Sequence, residues 1–216
     1  TNSMGKPRSP NGRAQAVHHR LKFEYEAICE LVHSNPFELL VATILSAQCT
    51  DVRVNKTTPA VFDRYPTPFE LAAADQGELE QLVYPTGFYK NKAKNLVKMA
   101  NQLLDNHGGE VPKSVGDLVQ LGGVGRKTAN VIRSVAFGLP GLPVDTHVGR
   151  LARRLGLTEE QDPLKVEIAL NSMVPQYERG EFSLRVILHG RQICFARNPR
   201  CDICVLNDFC PAAFDF

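Results

Sequence analysis

Asn35-Pro36-Phe37-Glu38 and Thr67-Pro68-Phe69-Glu70 are two copies of one helix-starting device. In each, a capping side chain precedes a proline at the first helical position and a carboxylate at the third, answering N–H groups the helix leaves unpaired. Phe37, Leu40, Val41, Ile44 and Leu45 then follow at the spacing of one helical face. Ser114 with Asp117, and Asp162 with Pro163, are close variants, and Gly87, Gly108, Gly138 and Gly156 stand where helices would end. The pattern predicts helices over 14–33, 36–47, 51–64, 68–74, 76–84, 90–106, 115–121, 126–137, 146–155, 163–174 and 182–194, nine or ten once short neighbours merge. No stretch alternates as a strand would, so the fold class is all-α.

With 216 residues, 43% of them hydrophobic, a chain of this size buries about 70% of the surface its unfolded form exposes, and its core needs no disulfides. No run approaches the ~20 apolar residues of a membrane helix, and no apolar signal core opens the chain. The expectation is a soluble, cytoplasmic protein with no membrane partner, acting as a monomer. Residues 1–13, polar and rich in Gly, Pro and Ser, read as a disordered arm. The strongest break is Gly138-Leu139-Pro140-Gly141-Leu142-Pro143. It separates a helical bundle over 36–137 from a second domain made of 14–35 with 138–216.

Just before that break lies Leu121-Gly-Gly-Val-Gly-Arg-Lys127, and just after it Val144-Asp145-Thr146-His147-Val148. Gly122, Gly123 and Gly125 admit backbone conformations that let successive N–H groups converge on an anion, and a helix starting near Arg126 adds its positive end. An ordinary tight turn between two helices has the same glycines. Lys127 can be a nucleophilic amine or a phosphate contact. Arg126 beside it and the helix end behind it would favour the unprotonated amine. Asp145 can oppose developing positive charge, or cap a helix carrying Val148, Leu151, Ala152 and Leu155. If the two lobes pack face to face, Asp145 sits at the junction near Lys127.

Net charge is only +2, but bases cluster: Lys6, Arg8, Arg13, Arg20 and Lys22; Lys90, Lys92, Lys94 and Lys98; Arg126 to Arg154; and Arg179 to Arg200. Each is either a solvated helix face or part of a nucleic-acid footprint. The last cluster overlaps Cys194, Cys201, Cys204 and Cys210. Four thiolates so close in an intracellular chain suit tetrahedral iron or zinc. One close pair flanked by wider gaps favours iron–sulfur, with zinc the competitor. Arg191, Arg197 and Arg200 would offset the site's negative charge, and Arg197 and Arg200, on a loop pinned at both ends, would meet phosphates.

Taken together, LSAQCTD (45–51), TGFYKNKA (86–93), GEVP (109–112), LGGVGRKTAN (121–130), VDTHV (144–148), ILHGR (187–191) and the cysteine spacing resemble the endonuclease III family. The resemblance spans most of residues 25–212. It implies a two-lobed helix-hairpin-helix DNA glycosylase and apurinic-site lyase with a C-terminal [4Fe–4S] cluster loop on the four cysteines, acting on duplex DNA with damaged bases or abasic sites. Lys127 would attack the sugar C1′, expel the base and form a Schiff base, with β-elimination cutting the strand, and Asp145 would assist. Gln48 and Phe88 match positions that fill the gap left by an extruded nucleotide; helix-end polarity and core packing are their plainer readings. His147 would support the site or make a structural hydrogen bond, and Asp51 is a supporting or helix-capping carboxylate.

Three positions depart from the family pattern. Gly122 stands where proline is common, which would loosen the turn by about 0.5–1 kcal/mol. Cys49 replaces a small non-thiol residue and Thr86 an aliphatic one, which implies altered substrate or opposite-base preference. A mismatch adenine glycosylase is the nearest alternative enzyme, but that branch lacks lysine at the position of Lys127 and has a further C-terminal domain. A non-catalytic DNA-binding module would tolerate loss of Lys127, and an electron carrier needs neither hairpin nor lysine. Oxidised or ring-damaged pyrimidines are the expected substrates.

Overall fold

Local capping decides where most helices begin. The computed structural model describes residues 6–215, and every regular element among them is helical. In chain order the α-helices are α1 (Pro10–Glu24), α2 (Pro36–Leu45), α3 (Asp51–Arg64), α4 (Pro68–Ala72), α5 (Gln76–Val83), α6 (Tyr89–His107), α7 (Val115–Leu118), α8 (Arg126–Val131), α9 (Thr146–Arg154), α10 (Pro163–Asn171) and α11 (Arg179–Gln192). Asn35 accepts from the Glu38 N–H, Ser114 from Asp117, Asp145 from Val148 and Asp162 from Lys165. Thr67 and Glu70 close a reciprocal capping box. Each such cap is worth about 1 kcal/mol. None of these helices is long and apolar enough to cross a membrane.

Several expectations need correction. The disordered arm over 1–13 is wrong from Ser9 onward: Ser9 caps α1, Pro10 is its first residue, and Arg13 donates to the Gly156 carbonyl at 2.6 Å. Composition read a loop where Ser-Pro is a cap and first-turn pair; residues 1–5 lie outside the described residues. The helix over 14–33 stops at Glu24, and Tyr25 is extended. Asn55 of α3 then grips the chain, donating to the Glu30 carbonyl at 2.8 Å and accepting from the Val32 N–H at 2.9 Å. The helix over 126–137 changes character, its α-helical turns giving way to a π-helical turn over Ile132–Ala136.

The chain divides into two units, one of Cys29–Leu139 and one of the residues up to Ile28 with those from Pro140 on. Residues 29–35 fall with the first, where the sequence reading put them with the second; buried Leu31 belongs to the first unit's core. In that unit α2 is buried on all sides, from Phe37 through Leu45 apart from half-buried Glu38. Around it pack Leu96, Met99 and Leu103 of α6, with α4 and α5 laid against the same helix. In the other unit α1 and α9 pack on α11, joining Val17, Leu21, Val148, Leu151, Phe182 and Val186 in a core that also takes Leu206 and Phe209.

Candidate functional site

The hairpin joins α7 to α8 through a tight turn, closed by the Val124 N–H donating to the Leu121 carbonyl at 3.1 Å. Gly123 is its left-handed residue, at φ 76°, a conformation that costs most other residues about 1–2 kcal/mol. Gly122 is buried, and here the structure corrects the expected loosening. A Cβ there would lie 2.7 Å from the Asn95 carbonyl oxygen, so α6 approaches too closely for any side chain. The Gly122 N–H, which proline lacks, donates to Gln102 Oε1 at 2.8 Å, and Gln102 Nε2 donates to the Gln120 carbonyl at 2.8 Å. One amide side chain of α6 thus fastens the turn on both sides. Gly125, at the N-cap of α8, faces open space, and Arg126 and Lys127 are exposed in the first turn beyond it.

Gln48 and Phe88 are both exposed, which removes the core reading of Phe88. Each takes a left-handed backbone, at φ 52° and 47°. For a bulky side chain that is an outlier which the surroundings must hold. The expected basic stretch over 90–98 divides: Lys90, Lys94 and Lys98 are exposed, whereas Lys92 is 4% exposed and turned inward. Its ammonium donates to the Leu45 and Thr86 carbonyls, both at 2.8 Å. Burial pushes its pKa below the ordinary lysine range, and nearby Cys49 opposes that. Thr86, also buried, returns its hydroxyl to the Val83 carbonyl at 2.7 Å. Thr50, and not Asp51, caps α3; Asp51 lies in the first turn, where a carboxylate favours the helix end.

In the other unit Asp145 is half-buried and caps α9, its carboxylate accepting from the Val148 N–H at 2.9 Å. His147 follows, with Nδ1 3.1 Å from a guanidinium nitrogen of Arg150 and the ring packed on Gly190. Since arginine can only donate, this contact is a hydrogen bond when that ring nitrogen accepts. Burial lowers the His147 pKa, Asp145 opposes the shift, and Arg150 and Arg191 reinforce it.

Cys194, Cys201, Cys204 and Cys210 line one cavity with Leu151, Ile193 and Leu206. Burial foremost, and the neighbouring sulfurs, push the Cys204 thiol up to about 11. Thiolates in such a place need a cation to sustain them, so the donor set fits an iron–sulfur group. His189, kept neutral by burial that takes its pKa to about 4, lies 3.3 Å from the Cys204 sulfur and 3.1 Å from the Tyr25 hydroxyl. The expected loop between the first two cysteines is closed by the Arg200 N–H donating to the Ile193 carbonyl at 3.0 Å, and Arg197 and Arg200 have exposed side chains. The sequence reading missed the arginines that grip this segment. Arg150 donates to the Gly190 and Cys194 carbonyls at 2.9 and 2.8 Å. Arg154 reaches the Cys194 sulfur at 3.3 Å and the Phe195 and Ala196 carbonyls at 2.6 and 2.9 Å. Their i, i+4 spacing on α9 was the available signal.

A glycine turn leading into a lysine-bearing helix, an aspartate-capped helix and a four-cysteine loop together define a class. Residues 41–176 match the model of the HhH-GPD superfamily base excision DNA repair protein, and 194–210 match the iron–sulfur binding domain of endonuclease III. Endonuclease III of Synechocystis sp. is 50% identical over 188 residues, 87% of this chain and 86% of the relative. A non-covalent endonuclease III–DNA complex superposes with a TM-score of 0.89 at 43% identity, covering 96% of this chain and 97% of that one. A trapped endonuclease III–DNA covalent intermediate, an estranged-adenine complex, gives the same TM-score and identity, with 96% and 98% covered. The chain belongs to the endonuclease III family, and its cofactor is a [4Fe–4S] cluster.

Proposed function

We propose that Lys127 is the nucleophile and Asp145 its supporting carboxylate in the reaction of a bifunctional DNA glycosylase and apurinic-site lyase. The protein is a base excision repair enzyme of that kind. The observation that carries the assignment is an exposed lysine in the first turn of a helix that leaves a glycine turn open on its outer side. N–H groups and a positive helix end at such a turn hold a phosphate, and the lysine then meets the adjoining sugar. Its unprotonated amine attacks C1′ as the bond to the damaged base breaks, and the base leaves with a proton. The sugar C1′–O4′ bond then opens as the amine's proton passes to O4′, and the Schiff base so formed acidifies C2′; loss of a proton there expels the 3′ phosphate, and water releases the amine. Asp145 opposes positive charge growing on the sugar and assists proton transfer.

Gln48 and Phe88 fill the stack from which the nucleotide is extruded, and Arg126, Arg197 and Arg200 meet phosphates, with Gly122, Gly123 and Gly125 shaping the grip. His147 and Asp51 support these loops. Cys194, Cys201, Cys204 and Cys210 hold the cluster, which when bound cross-links the loop bearing Arg197 and Arg200. Oxidised pyrimidines in duplex DNA are the substrates of this reading, and the protein works as a monomer in a bacterial cytoplasm, a setting supported by its bacterial relatives.

The test is borohydride trapping on duplex DNA holding one abasic site. Wild type is expected to form a covalent adduct and Lys127→Ala none. A wild-type protein that cuts the strand without ever trapping would overturn the Schiff-base route.

A further inference from the structure

Lys92 is tied to both loops that carry the stack-filling residues. Leu45, whose carbonyl takes one of its hydrogen bonds, is the last residue of α2, and Thr86, whose carbonyl takes the other, is the last residue of the short 3-10 turn Tyr84–Thr86. A cation at a helix C-terminus answers carbonyls that have no partner in the next turn. Gln48 comes three residues after Leu45 and Phe88 two after Thr86. Both are exposed and left-handed, as are only Asn198 and Phe214 among the other described non-glycine residues.

We infer that Lys92 is a positioning residue for insertion into DNA, its buried ammonium joining the Gln48 and Phe88 loops so that the two side chains enter the base stack as one unit. The inference rests on the reading of Gln48 and Phe88 as stack-filling residues. A residue pressed into a gap between bases must resist being pushed back, and a loop with a left-handed tip has weak means of its own for that. A carbonyl anchor just behind each tip supplies the resistance. Sharing one anchor links the two tips: release of the ammonium slackens both. The remaining lysines of this stretch, exposed at 90, 94 and 98, cannot substitute for it.

The experiment compares cluster-loaded wild type with Lys92→Met, which keeps length and loses the ammonium, and with Gln48→Ala/Phe88→Ala. Three readouts are taken: base excision from duplex DNA, fluorescence of a 2-aminopurine opposite an abasic-site analogue, and strand cleavage at an abasic site in a single-stranded oligonucleotide. Lys92→Met is expected to lose the fluorescence rise and about tenfold or more in duplex excision, which is about 1.4 kcal/mol. Single-strand cleavage, which needs no insertion, should stay within about threefold. Added to Gln48→Ala/Phe88→Ala, the lysine change should cost almost nothing more, because coupled residues are not additive. Folded Lys92→Met with wild-type duplex excision and fluorescence overturns the proposal, and so does equal loss on duplex and single strand. If Lys92→Met does not fold, Lys92→Gln, whose shorter, uncharged side chain cannot bridge both carbonyls, is held to the same criteria. Wild-type behaviour of Gln48→Ala/Phe88→Ala would instead sink the stack-filling reading, a result distinct from either of these.

Discussion

The unit bearing the glycine hairpin and the unit bearing the cysteines make their sites by opposite means. Around the hairpin the decisive facts are backbone ones. Gly122 lies where the Asn95 carbonyl forbids a Cβ, and neutral amide bonds from Gln102 fasten the turn. Around the cysteines the decisive facts are side-chain ones: four sulfurs on one cavity, with Arg150 and Arg154 holding the loop's carbonyls. The turn of the first site is thus sensitive above all to added volume. The second is sensitive to the loss of a ligand or a guanidinium, and its backbone is shaped by what those groups bind.

The sharpest way to break this contrast is to remove one ligand. Cys204→Ala should bleach the visible iron–sulfur absorption and lower the melting temperature by about 10 °C or more, because binding energy in such a loop is folding energy. A colourless, zinc-containing wild type with intact activity would overturn the cluster assignment to these cysteines. Next in size is Gly122→Ala, expected to cost about 2 kcal/mol in denaturant unfolding, since the new methyl meets backbone rather than a side chain that can swing aside. Gly125→Ala should cost no more than about 1 kcal/mol yet weaken DNA binding, because its methyl projects into the open space beside the helix end. Equal stability losses at the two glycines would remove the claim that close approach of α6 sets the turn. The smallest effect concerns pH. His147 has its pKa lowered, so its share of stability is full above the unfolded value of about 6.5 and is lost as pH falls through the folded value. An NMR titration should place its midpoint below about 6.5; a midpoint above that would mean the ring is charged against Arg150.

Much of the fold was legible because helix starts are local. Asn35, Thr67, Ser114 and Asp162 each act on a neighbour three residues or fewer away, and α3 matches its expected span of 51–64. What the sequence hid depends on partners far along the chain. Arg13 finds Gly156, and Arg150 and Arg154 find the cysteine loop, at separations no periodicity reveals. Lys92 looked like three other lysines until packing turned it inward. Gly122 looked like a weakened turn, because the crowding that requires it comes from Asn95 and Lys98 on another helix. The glycines, Lys127, Asp145 and the cysteine spacing could be picked out by motif, since chemistry restricts which residue types serve.

The division of the chain also orders its biosynthesis. Cys29–Leu139 is continuous, whereas α1 belongs with residues from Pro140 onward. As the polypeptide leaves the ribosome, domains fold as their residues become available. The hairpin unit can therefore close while α1, made first, still waits for α11. Iron must arrive later still, after Cys210 has emerged. A cell short of iron would then hold chains whose DNA-gripping turn is finished and whose cysteine loop is not.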